Sequence, residues 1–168
     1  MNYIESKTKF IKTWGNLGSS WGINRTMAQV HALLLIAPDP LSAEDIMAEL
    51  HISRGNVNMN IRSLINWGLV HKDNISGERK EYFVAEKDMW KVATLIMKER
   101  RKRELEPALR VLDNVIKVEG DKRDKNIKAF TETIGNIKDL VEKADSTLEK
   151  LIKADESFLT STLLKLLK

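Results

Sequence analysis

The clearest pattern in the chain lies between Ser53 and Trp67. There Val57, Ile61, Leu64 and Ile65 recur at i, i+4, i+7 and i+8, one face of an α-helix, while amide, hydroxyl and guanidinium side chains fill the other side. Ser53 stands where an N-cap belongs. Upstream, Leu41 to Leu50 predicts a shorter helix with Ile46, Met47 and Leu50 inward, Ser42 as cap and Asp45 at the capping-box position, fenced off by Pro38 and Pro40. His51 and Ile52 are left as a short turn, which makes the pair a helix-turn-helix. Gly68 stops the second helix. Residues 69–72 and 81–84 then predict two short strands joined by a turn over 73–80, with Gly77 able to take a positive φ.

Two helices precede this unit. Ile4, Phe10, Ile11, Trp14 and Leu17 predict an amphipathic helix ending at Gly15 to Gly18, and Asn24 caps a second through Met27, Val30, Leu33, Leu34 and Ala37. His31, on the second, reads as a core or partly exposed histidine. After the hairpin, Lys87 to about Leu105 predicts a helix that Pro107 must kink or restart, with Gly120 as its end. In the last third Ile127, Phe130, Ile134, Ile137, Val141, Ala144, Leu148 and Leu151 alternate spacings of three and four, the seam of a coiled coil. Its partner is the same helix of a second copy, the preceding helix folded back, or both at once. In the last case a final short helix with Phe158, Leu159, Leu163, Leu166 and Leu167 adds to a dimer stalk. An intrachain hairpin in a monomer is the competing reading. The expected architecture is mainly α with a small β-hairpin wing: a winged helix-turn-helix lobe over residues 1–86 and a helical dimerisation arm over 87–168.

Charge adds a constraint. The net charge of +4 suits a polyanion, yet residues 1 to 85 carry nine Lys or Arg against eight Asp or Glu, so affinity for one must come from placed cations and from dimerisation. The basic run from Lys98 to Arg103 reads as a solvated helix face. No cysteine is present, which excludes disulfides and thiolate metal sites, and nothing resembles a signal peptide or a membrane span, so a cytoplasmic protein is expected. Three histidines without metal spacing, no nucleophile motif and no phosphate loop leave no catalytic constellation. Neither an enzyme nor a cofactor or metal is expected.

The chemistry the chain does offer is hydrogen bonding to base edges. Asn56, Asn58, Asn60 and Arg62 can make paired hydrogen bonds to adenine or guanine in a major groove. Gly55 lets the backbone approach closely, and the free N–H groups of the helix start suit phosphate. Arg79 and Lys80, at or beside the tip of the hairpin, can reach a narrow minor groove. The expected DNA-facing set is Ser42, Ser53, Arg54, Gly55, Asn56, Asn58, Asn60, Arg62, Arg79 and Lys80. A solvated helix face is the bland alternative, but such faces favour Glu, Lys and Ala over Asn and Gly.

The run Ser53 to Asn60, followed by Trp67-Gly68-Leu69-Val70 and then Gly77 to Phe83, resembles the winged-helix regulators of the MarR superfamily and, within it, the GbsR branch. The resemblance covers roughly residues 10 to 110, and the Ser-Arg-Gly-Asn start of the reading helix is its most specific part. It implies a homodimer that binds operator DNA with two winged lobes and has no enzymatic activity. It also implies that Ser53, Arg54, Gly55, Asn56, Asn58, Asn60 and Arg62 face DNA, with Arg79 in the wing. A two-fold dimer places two reading helices about one DNA turn apart, so the expected operator is a pseudo-palindrome. The seam residues Ile127, Phe130, Ile134, Ile137, Val141, Leu148 and Leu151 with Leu159 and Leu163 are the expected dimer contacts. A small-molecule effector is a further expectation, with Trp14, Trp21, Trp67 and Trp90 as candidates for an aromatic cage around a quaternary ammonium. Aromatic wedging of lobe to arm is the competing use of Trp67 and Trp90. Two rivals remain: a winged helix that binds protein partners, and a single-strand or RNA binder. The second would want exposed aromatics on a sheet, and only one hairpin is expected.

Overall fold

The computed structural model describes residues 1–73, 77, 79–121 and 123–154. It divides into two compact units, Met1–Val92 and Ala93–Lys168.

The first unit holds helices α1 (Tyr3–Ser20), α2 (Arg25–Ile36), α3 (Ala43–Leu50) and α4 (Arg54–Asn66), with strands β1 (Leu41–Ser42), β2 (Val70–Asp73) and β3 (Tyr82–Ala85). Helix α2 is its centre. Val30, Ala32, Leu33 and Leu34 are almost fully buried, and the helix packs against α1, α3, α4 and β3. Asn24 caps it by accepting from the Met27 N–H, and at its other end Lys87 Nζ donates to the carbonyls of Leu35 (2.9 Å) and Ala37 (2.6 Å). Those bonds satisfy groups a helix terminus leaves open.

Helix α1 does not end at Gly15 to Gly18 as its sequence suggests; it continues to Ser20. Both glycines are buried, and their role is contact. A Cβ on Gly18 would lie 2.6 Å from Ala28 Cβ, and one on Gly15 would lie 2.6 Å from Gln29 Cγ. The missing side chains let α1 sit directly on α2. His31 is also in this layer, 3 % exposed, beside the Trp14 ring (centroids 6.2 Å apart), and its Nε2 has no hydrogen-bond partner among the described residues. Burial pushes its pKa down to about 4.

The sheet has three antiparallel strands in the order β1-β3-β2. The expected hairpin is β2 and β3, with Lys72 opposite Phe83 and Asp73 opposite Tyr82. The third strand, two residues long, pairs Leu41 with Phe83 and Ser42 with Tyr82. It ties the start of α3 to the base of the wing.

The second unit contains the rest of α5 (Met89–Arg100), which begins in the first, then a π-helical turn (Arg101–Leu105), α6 (Glu106–Val115) and α7 (Lys125–Lys153). Pro107 stands in the first turn of α6, directly after the π turn. The π turn changes the hydrogen-bond register just ahead of it, where a proline would otherwise crowd the preceding carbonyls. The helix ends at Val115, short of the expected Gly120. Helix α7 folds back along α6 and the π turn, in antiparallel register: Arg101 forks onto Asp145 at 2.6 and 2.9 Å, and Lys138 meets Asp113 at 2.7 Å. The basic run is largely engaged within the chain, with Arg100 on Glu104 and Arg103 near Glu99 as well. No residue of α6 or α7 is fully buried, and Val111, Phe130, Ile137 and Leu140 are between 42 and 68 % exposed. Phe158, Leu159, Leu163, Leu166 and Leu167 lie outside the described residues. Among the described residues no helix is long and apolar enough to cross a membrane.

Candidate nucleic-acid interface

Three short segments build the site: the first turn of α3, the outward side of α4, and the stretch from Arg79 to Phe83 that leads into β3. Helix α3 starts in a complete capping box. Ser42 Oγ donates to Asp45 Oδ2 (2.6 Å), the Ser42 N–H donates to the same oxygen (2.8 Å), and the Asp45 N–H returns to Ser42 Oγ (3.3 Å). These bonds from Ser42 hold the Asp45 carboxyl below the usual range, helped by the Lys80 cation. The serine is 2 % exposed. Its expected place at a DNA surface is therefore corrected: Ser42 is an interior cap, because the hydroxyl that could have met phosphate is committed to Asp45.

His51 ends α3 in the left-handed region (φ 52°, ψ 44°), the sharp turn between the two helices. Ser53 caps α4, accepting from the Asn56 N–H at 3.3 Å. Val57, Ile61 and Leu64 are buried as the periodicity predicts, Ile65 is half-buried, and Trp67 and Gly68 close the helix, with Gly68 at φ 76° and the Leu69 N–H returning to the Leu64 carbonyl.

The outward side then sorts the candidates. Ser53, Arg54, Gly55, Asn58 and Arg62 are exposed, and Asn56 is half-buried. Asn60 departs from expectation. It is 3 % exposed, and its Nδ2 donates to the Asn56 main-chain oxygen (2.8 Å) and to Asn56 Oδ1 (2.9 Å). The main-chain carbonyl can only accept, so this bond fixes which end of each amide is nitrogen, a choice that geometry alone often leaves open. Asn60 is thus a support for Asn56. Met59, which the helical stripe does not include, stands 57 % exposed on the same outward side. Its sequence signal was its place off the apolar stripe.

Arg54 and Asn58 from α4, Ala43 and Glu44 from α3, and Arg79 and Lys80 from the wing line one open cleft of about 350 Å³. Arg54 is ion-paired with Glu44, and Lys72 with Glu81. The Glu44 carboxyl is held below its usual range by its own backbone N–H first, then by the Arg54 and Lys80 cations. Glu44 and Glu81 also line this cleft, two carboxylates outside the expected DNA-facing set. Arg62 lies farther along α4 and is not among the residues lining the cleft. The arrangement presents guanidinium, ammonium and amide donors to one outer surface, the inventory for phosphate and base-edge contacts. Glu78 and residues 74–76 of the expected wing turn lie outside the described residues.

The tryptophans of the expected cage occupy different settings. Trp14 packs on Phe10 (5.5 Å) and His31, Trp67 is buried at the end of α4, Trp90 is half-buried in the first turn of α5, and Trp21 is 46 % exposed after α1. Among the described residues no group of three His, Cys, Asp or Glu could hold a metal ion.

Residues 21–80 match the model of the MarR family. The match spans α2, the helix-turn-helix and the wing as far as Lys80. The HTH-type transcriptional regulator MmpR5 of Mycobacterium tuberculosis is 28 % identical over 76 residues, 45 % of this chain; the alignment takes in 46 % of that protein, about half its length. A crystal structure of a transcriptional regulator superposes with a TM-score of 0.52 at 19 % identity, over 86 % of this chain and 99 % of that one, and shows the same fold. The adhesin competence repressor AdcR from Streptococcus pyogenes reaches a TM-score of 0.36 at 17 % identity over 82 % of this chain and 98 % of that one.

Proposed function

We propose that this chain is a MarR-type transcriptional regulator. It binds duplex DNA sequence-specifically as a homodimer on a pseudo-palindromic operator and acts as a repressor rather than an enzyme. GbsR-like parentage, control by a small molecule and a cytoplasmic location are the finer parts of the same reading. The observation that carries it is the convergence of Arg54 and Asn58 with wing residues Arg79 and Lys80 on one cleft, inside the segment that matches the MarR family. In this reading α4 enters the major groove and the wing cations lie along the backbone or the adjoining minor groove. The exposed apolar residues of α6 and α7 supply the surface for a second copy.

The test is selection of bound fragments from the source genome by the purified protein, followed by titration of the enriched duplex. Binding should weaken steeply with salt. The double variant Arg54→Ala/Arg62→Ala should lose roughly ten- to a hundredfold in affinity, the scale of one or two lost bidentate contacts. Unchanged binding by that variant would sink the assignment of the reading helix. The runner-up, a winged helix that docks on a protein, draws on the near-even charge of the lobe and the two carboxylates at the cleft. Failure to enrich any duplex would favour it.

A further inference from the structure

One outward-facing residue of α4 fits neither the core nor the hydrogen-bonding set. Met59 is 57 % exposed, with Asn58 before it and Arg62 one turn on. Single exposed apolar residues are ordinary on a protein surface, so exposure alone decides nothing. The neighbourhood does.

One turn before Met59 is Gly55, in the first turn of α4. Glycine there costs helix stability, and nothing among the described residues asks for it: beyond the backbone of its own helix, a Cβ at Gly55 would meet no atom of theirs within 4 Å, and its φ is not positive. The contrast with Gly15 and Gly18, whose missing side chains admit α2, is direct. The space that Gly55 clears opens outward. One turn after Met59, the Ser63 hydroxyl donates back to the Met59 main-chain oxygen at 3.2 Å, so it does not stand out as a competing polar group. The line Gly55-Met59-Ser63 is therefore a low floor, a single flexible apolar side chain, and a self-satisfied hydroxyl. A helix carrying such a line can seat deeply in a groove with the thioether against its floor.

Among the groups a major groove presents, the only apolar one is the C5 methyl of thymine. We propose that Met59 is the thymine-reading residue of this helix. It buries its side chain against a thymine methyl in each half-site, while Gly55 allows the approach and Arg54, Asn58 and Arg62 make the polar contacts. This inference rests on the DNA-binding reading above and adds the chemistry of one base to it.

Replacing a thymine by deoxyuridine removes that methyl and leaves base pairing intact, so the selected operator can be scanned one thymine at a time. Burial of one methyl corresponds to roughly a fourfold change in affinity. Wild-type protein should lose about that factor at one thymine position in each half-site. Met59→Ala should bind the parent operator more weakly by a similar factor and be indifferent to uracil at the same position, and Met59→Leu should restore the response. If the wild type binds the operator but wild type and Met59→Ala respond alike at every uracil, the assignment of Met59 is wrong while the DNA-binding reading stands. If the wild type binds no duplex, both fall together.

Discussion

Asn60 donates its amide to both oxygens of Asn56, the residue one helical turn before it. A buried side chain thus orients one that is half-buried at the surface. With Oδ1 of Asn56 turned back toward Asn60, its own NH2 group is the end left to face outward, a donor suited to guanine O6 or N7, thymine O4 or a phosphate. Asn60→Leu should therefore leave the protein folded but relax the preference at one base position, as read by the affinity spread over single-base operator variants. Asn60→Asp sets a carboxylate against two carbonyl oxygens in the interior. Its expected cost is about 2–4 kcal/mol of unfolding free energy by denaturant titration.

Glu44 pairs its carboxylate with Arg54, the first residue of α4. Both are largely exposed, so the pair adds little to stability; its effect falls on what Arg54 can bind. Glu44→Gln should tighten binding to random duplex several-fold and steepen the salt dependence, with the melting temperature hardly changed. A specific-to-random affinity ratio that stays constant would show that Glu44 takes no part in selectivity.

His31 makes stability depend on pH with a definite sign. Its pKa in the folded chain is about 4, below the 6.5 of an exposed histidine. Between those values the unfolded chain holds the proton and the folded chain does not, so stability falls as pH drops from about 6.5 to about 4 and this contribution then levels off. The gap corresponds to about 3 kcal/mol. His31→Leu should flatten the curve of unfolding free energy against pH over that interval, and an unchanged slope would assign it to other groups.

The two buried glycines of α1 should differ. Alanine gains about 1 kcal/mol of helix propensity over glycine at either position. At Gly18 the new methyl meets Ala28 Cβ, which can yield only if the helices part, an overpacking cost of about 1–3 kcal/mol. At Gly15 it meets the longer Gln29 side chain, which can turn aside. Gly18→Ala should therefore destabilise more than Gly15→Ala in thermal melts, and the reverse order would contradict the helix contact described.

The dimer reading is open to a direct check. Ile137 and Leu140 are 42 and 68 % exposed on α7, and neither belongs to the buried core. Ile137→Asp/Leu140→Asp should shift sedimentation from dimer to monomer and weaken operator binding by more than tenfold, since one lobe then acts alone. A double variant still dimeric would place the interface elsewhere.

Much of this chain could be read before its structure was known. The caps at Asn24, Ser42 and Ser53, the buried stripe of α4 and the hairpin follow from local chemistry, and local chemistry is what a sequence displays. What escaped depends on neighbours distant in the chain or on the turn a side chain takes. Gly15 and Gly18 look like helix stops until α2 is laid against them. Leu41 and Ser42 are too short to announce a strand and pair only because β3 runs past them. Asn60 sits one position from the apolar stripe, and composition alone did not tell that its amide would be taken inward by Asn56. Glu44 has no donor to offer a base, so its residue type alone does not mark it for such a site. Pro107 signalled a disturbance correctly, but not that a π turn would absorb it.

That π turn has a geometric consequence. Each residue of an α-helix advances the side-chain direction by about 100°, and a π turn holds one residue more than an α turn. Arg101–Leu105 therefore acts as a phase shifter in one continuous helix: Val111 and Val115 point where they do because of a residue inserted upstream. A one-residue deletion there would leave the apolar composition of α6 intact yet swing its exposed valines by more than a quarter-turn. The direction in which this arm offers itself to another surface is set by residue count as much as by residue type.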